Sequence, residues 1–153
     1  MSAMAGRGAH LAAIAVLGLA GCGSDPPPMP DACLGEPAAF ARALELVPGQ
    51  VRLAGGTSLS RCVTLARRDG DLEGLGLVLT RVVDELRPRA ARDPAVALRL
   101  GYVAGAVRRG AASTTGLAAQ LARRVELSAT LGIDGARERA ALQRGISLGE
   151  AGG

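Results

Sequence analysis

The segment Leu72-Glu73-Gly74-Leu75-Gly76-Leu77-Val78-Leu79-Thr80-Arg81-Val82-Val83-Asp84-Glu85-Leu86 decides the fold. Leu72, Leu75, Leu79, Val82 and Leu86 recur at intervals of three, four, three and four, which lays them along one side of an α-helix, and Val78 and Val83 widen the stripe. The helix is predicted to end near Pro88, where the ring removes a backbone donor. Upstream, the hexapeptide Asp69-Gly70-Asp71-Leu72-Glu73-Gly74 has the opening of a calcium loop. Its twelfth position is Thr80 where a bidentate Glu is needed, so the stretch reads as a turn with Asp71 as helix cap.

The same periodicity extends in both directions. Residues 36 to 47 read as a helix with Pro37 in its first turn and Pro48-Gly49 as its stop. Residues 50 to 57 read as a connector with a short extended piece at Val51-Arg52-Leu53, and Thr57 or Ser58 caps a helix to about Arg68. Asp93-Pro94 opens the next helix, whose stripe is Val96, Leu100, Val103 and Val107. Ala97, Gly101 and Gly105 form a neighbouring line of small residues, which lets a second helix backbone come close and makes this helix central. Ser113-Thr114-Thr115 offers a cap for a helix to about Leu131, ended by Gly132, and Asp134 one for a weaker last helix through Ala140, Leu142 and Ile146. The expected fold is all-α, a small bundle of about five to six helices. Leu65-Ala66-Arg67-Arg68 recurs as Leu121-Ala122-Arg123-Arg124, but no constant period links the two, so a solenoid is the lesser reading.

With 153 residues the chain has room for one modest domain. Its 48% hydrophobic content comes mostly from Ala and Leu, with one Tyr, one Phe and no Trp. All 18 basic residues are Arg, a bias that GC-rich coding explains, so the net charge of +4 says little about partners.

The first 22 residues fall into a polar start with Arg7 and His10, an apolar run Leu11 to Leu19, and Ala20-Gly21 before Cys22. This is the order of a secretory signal peptide. As a helix the nine-residue run would span about 14 Å, roughly half a bilayer core, so it is no permanent membrane span. Leu19-Ala20-Gly21-Cys22 resembles the lipobox of bacterial lipoproteins. The resemblance covers the targeting segment alone. It implies cleavage before Cys22, a diacylglyceryl group on its thiol, and an acyl chain such as palmitate on the new amino terminus. Two or more chains give the stable anchoring that one chain does not. The implied address is outside the cell, tethered to the cell membrane or outer membrane. Gly23 to Pro30 is proline-rich and suits a polyproline spacer of about 25 Å. The organisation is then a signal peptide at 1–21, anchor and linker at 22–35, a helical domain at 36–149 and a flexible tail at 150–153.

Cleavage would leave no histidine, which removes the usual general base, nucleophile partner and metal ligand. Nucleophile elbow, P-loop and dinucleotide fingerprints are absent. No metal, cofactor or catalytic residue is expected. Cys33 and Cys62 are expected to form a disulfide, since they lack the Cys-x-x-Cys spacing of redox sites and would sit in an oxidising compartment. Arg108, Arg109, Arg123 and Arg124 on facing helices are the candidate anion site, against the plainer reading that they complement helix C-termini on a wet face. Aromatics for stacking on bases are missing and nucleic acid is not an expected partner. The functional expectation is a lipid-anchored envelope protein that binds or scaffolds another envelope protein without catalysis. The alternative is an envelope protein that holds an anionic or lipidic small molecule.

Overall fold

A computed structural model describes residues 27–153, and among them the chain is helical, without strands. The lipobox, Cys22 and the first part of the proline spacer lie outside the described residues. Six α-helices follow in order: α1 (Pro37–Leu44), α2 (Leu59–Leu65), α3 (Asp69–Ala90), α4 (Pro94–Ala111), α5 (Leu117–Thr130) and α6 (Ala136–Gly152), with short 3-10 turns at Asp31–Leu34 and Ala54–Gly56. The all-α bundle read from periodicity is the fold.

Helix α4 is the axis, packed against α2, α3, α5 and α6. Twelve of its eighteen residues are buried, including every one from Leu100 to Val107, so it has lost the two-sided character of a surface helix. The expected line of small residues is used. Gly101 and Gly105 face Gly145 and Gly149 of α6, and these positions are so close that a Cβ at any of them would strike backbone of the partner helix. A Cβ on Gly101 would lie 2.9 Å from the Leu142 carbonyl carbon, and one on Gly145 would lie 2.9 Å from the Tyr102 amide nitrogen. Residue numbers rise together along the two helices, so α4 and α6 run parallel, with antiparallel α5 as the return. Gly110 makes a similar approach to α2 at Ser60 and Val63.

The aliphatic stripe of α3 buries Leu75, Leu79, Val82, Val83 and Leu86, as its spacing requires, while Leu72 and Val78 flank the core half-buried. The N-terminal part closes the other side. Phe40 and Leu44 of α1, Val51, and the Cys33–Cys62 disulfide (S–S 2.09 Å) are wholly enclosed.

Several boundaries differ from the sequence reading. Helix α3 starts at Asp69 with Arg68 as N-cap, so Asp71 lies in its first turn and is not the cap. It also runs through Pro88 to Ala90, because a proline in the last turn forfeits one hydrogen bond and the Ala91 amide still reaches the Arg87 carbonyl. Helix α2 ends at Leu65, three residues short of Arg68. Ser113-Thr114-Thr115 does not cap α5. The Thr114 hydroxyl turns back to the Ala111 carbonyl at 2.7 Å and finishes α4, and Gly116 enters α5 at φ +70°, where β-branched residues do not go. Gly135, not Asp134, precedes α6. Val51 to Leu53 is extended at Leu53 but pairs in no sheet.

Two domain boundaries move as well. Residues 31–35, assigned to the linker, belong to the folded part, since the turn at Asp31–Leu34 packs on α3 and carries buried Cys33. Residues 150–153, assigned to a flexible tail, complete α6. Ala106 on α4 packs against Gly153, which continues the four-residue spacing of Gly145 and Gly149.

Candidate functional site

Two of the concave surfaces on the bundle carry the candidate site residues. One is an open groove of about 420 Å³ between α3 and α5, floored by Leu72, Gly76 and Leu121, with Leu77 and Leu117 more than half exposed on its sides. Asp69, Glu73 and Arg124 stand at its polar edge.

The other is a cleft of about 660 Å³ where the Pro48-Gly49 turn, the start of α2, the middle of α4 and the end of α6 meet. Its charged lining is Arg52, Arg61 and Arg109, with no carboxylate side chain among the lining residues. The local reasons are simple. Val51 and Leu53 are drawn into the core, so alternation in an extended segment turns Arg52 outward. Ser58 is the N-cap of α2, accepting from the Arg61 amide at 3.3 Å, which places the Arg61 side chain on the first turn above it. The Ser60 hydroxyl lies within 3.1 Å of Ser58 Oγ and donates to the Gly153 carbonyl, fastening α2 to the end of α6.

Tyr102 sits at the inner wall. It is 2% exposed. The phenol makes no hydrogen bond among the described residues, and Tyr102 lines the cleft. Burial pushes the phenol pKa up, and the nearby Arg52 and Arg109 guanidinium groups pull against that shift without reversing it. The phenol is thus a neutral donor at physiological pH, held in a positive field.

The four arginines singled out from the sequence do not form one pocket. Arg108 is committed to carboxylates: Nε donates to Glu150 at 2.5 Å and Nη1 to Glu126 at 3.0 Å, tying α4 to both α5 and α6. Arg109 donates to the Glu150 carbonyl at 2.6 Å and to the Ala151 carbonyl, serving the open end of α6 as a cation near a helix C-terminus should. Arg123 is exposed on α5, and Arg124 borders the groove between α3 and α5. Helix α5 packs chiefly against α4 and α3 and presents its pair on a different side from Arg109. Of the four, Arg109 alone lines the basic cleft, and its companions there are Arg52 and Arg61.

Sequence reasoning passed over Arg52, Arg61 and Tyr102. Arg52 and Arg61 lie in a connector and a short helix without a repeating pattern, and Tyr102 lies next to the apolar stripe of α4. The one available signal was that Tyr102 is the only tyrosine in a chain almost devoid of aromatics.

Among the described residues no group of Cys, Asp or Glu is arranged to hold a metal ion, and no helix is long and apolar enough to cross a membrane. Comparison with protein families, with curated proteins and with solved structures finds no match to this chain.

Proposed function

We propose that the protein is a lipid-anchored binding module of the bacterial cell envelope, exported by its first 21 residues, tethered through Cys22 and working without catalysis. The observation that carries this reading is the buried Cys33–Cys62 disulfide at the head of the folded part. Disulfides persist in oxidising compartments and are rare where thiols are kept reduced, which agrees with the export implied by Leu19-Ala20-Gly21-Cys22. The first turn of the folded part begins at Asp31, immediately after Pro30, which agrees with a spacer between anchor and bundle.

Binding is the favoured activity for a chemical reason. A mature chain from Cys22 onward has no histidine, and the apolar groove and the basic cleft offer places to hold a partner or ligand.

Intact-mass analysis of the protein from a bacterial membrane fraction tests the anchor. The expected species starts at Cys22 and carries diacylglyceryl plus one fatty acyl mass, and Cys22→Ala moves the protein out of the membrane fraction. An unmodified Cys22, or a Cys22→Ala chain that fractionates as the parent does, overturns the proposal.

A further inference from the structure

We infer that the cleft formed by Arg52, Arg61, Arg109 and Tyr102 is a binding site for a phosphate group, with the Tyr102 hydroxyl as the donor at its inner wall.

Charge is the first argument. Arg108 finds two glutamates, and Arg87 pairs with Asp84 at 3.4 Å. Arg52 and Arg61 make no ion pair among the described residues, and Arg109 bonds only to main-chain carbonyls. Three guanidinium groups thus border one concavity without Asp or Glu in its lining, where the carboxyl group of Gly153, held by the Ser60 hydroxyl, is the one acidic group. Their mutual repulsion is relieved when an anion enters between them.

The second argument is Tyr102, which is independent of net charge. Tyr102 is almost wholly enclosed and lines the cleft, and its hydroxyl makes no hydrogen bond among the described residues. A bound oxyanion would accept one.

Phosphate fits this donor set better than carboxylate does. A carboxylate offers two oxygens in one plane, which a single arginine fork satisfies, whereas a phosphate ester presents three outward oxygens to donors from several directions. Leu148 and Pro48 beside the arginines provide an apolar flank for the organic part. The volume admits a ligand considerably larger than the ion itself. Phosphate reaches an envelope protein either on a lipid headgroup or on a soluble ester, and both present the same chemistry to the cleft.

This inference rests on the reading of the folded part as a binding module, and it is independent of the anchor. Detergent-solubilised full-length protein is titrated by calorimetry with inorganic phosphate, with glycerol 1-phosphate and with short-chain phosphatidylglycerol. Saturable binding with Kd of about 1 mM or tighter is expected for at least one of them. Arg61→Ala and Tyr102→Phe should each weaken it by about tenfold, while Arg124→Ala, in the other groove, leaves it unchanged. Unfolding temperatures in phosphate-free buffer show that each variant is folded, and Tyr102→Phe keeps the ring that fills the wall. Tighter binding of phosphatidylglycerol places the phosphate on a lipid, and tighter binding of glycerol 1-phosphate places it on a soluble ester; either result upholds the site. Absence of saturable binding by all three probes overturns it, as does binding that Arg61→Ala and Tyr102→Phe leave untouched. A negative result here would leave the mass and fractionation of Cys22 unaffected, so the two proposals fail separately.

Discussion

At Gly145 a single missing carbon sets the distance between two helices. A Cβ there would meet the Leu98 carbonyl carbon and the Tyr102 amide nitrogen at 2.9 Å each, and backbone atoms in the middle of a helix have nowhere to retreat. Gly145→Ala is therefore expected to destabilise the protein by about 2–3 kcal/mol, even though alanine is the better helix former by about 1 kcal/mol. Gly76 on α3 is the useful contrast. Its added Cβ would lie 3.5 Å from Leu121 Cδ1, an ordinary contact, so Gly76→Ala should stabilise by about 0.5–1 kcal/mol. Urea unfolding of the two variants measures both, and equal effects of the same sign would contradict the close approach of α4 and α6.

At the scale of elements, the first third of the chain is held differently from the rest. Helices α1 and α2 are short, with eight and seven residues, below the length at which isolated helices persist in water. The Cys33–Cys62 bond ties the first turn of the folded part to α2 across 29 residues, enclosing α1 and the Val51 segment. By the loop-entropy argument it contributes about 3 kcal/mol. Reduction, or a Cys33→Ser Cys62→Ser double substitution, should lower stability by about that amount, read as a shift in the urea midpoint with and without reductant. Alkylation before reduction should label neither cysteine. The ion pairs of Arg108 are a smaller matter, since all three side chains are between a third and a half exposed, and solvent screening limits each pair to about 1 kcal/mol or less.

For the molecule as a whole, α4 packs against four of the other five helices, so its unfolding takes most of the core with it. Tyr102 makes that event sensitive to pH. Because burial raises its pKa in the folded state, the folded protein holds the phenol proton more tightly than the unfolded chain. The resulting stability is fully present below the ordinary tyrosine pKa of about 10 and is lost as pH rises through the folded value. Chemical denaturation across the alkaline range should show this decline, and Tyr102→Phe should flatten it. Phenolate absorbance reports the same titration without ambiguity, because the chain has one tyrosine.

The helical class was legible because its cause is local. The intervals from Leu72 to Leu86, the Asp93-Pro94 start and the stop at Gly132 act within one or two turns, and each appears where the residues indicate, with Asp93 accepting from the Ala95 amide at 2.8 Å. The small-residue line Ala97-Gly101-Gly105 likewise announced a close helix contact. Its partner line at Gly145 and Gly149 was written with the same spacing, but which helix would answer it depends on how the chain returns. Caps were less legible at α5 and α6, where serine, threonine and aspartate were available but the turn geometry selected Gly116 and Gly135.

By itself, then, the sequence determined the all-α class, the central place of α4 and the pairing of the two cysteines in the folded part, because periodicity, small-residue spacing and elimination act over short distances or few candidates. Only the tertiary structure decided which arginines stand together. Arg52, Arg61 and Arg109 come from a connector, a short helix and the last turn of α4, and no spacing along the chain relates them. They meet because Gly101, Gly105, Gly145 and Gly149 draw α6 against α4, while Gly110 draws in α2, and the ends of those elements then enclose Tyr102.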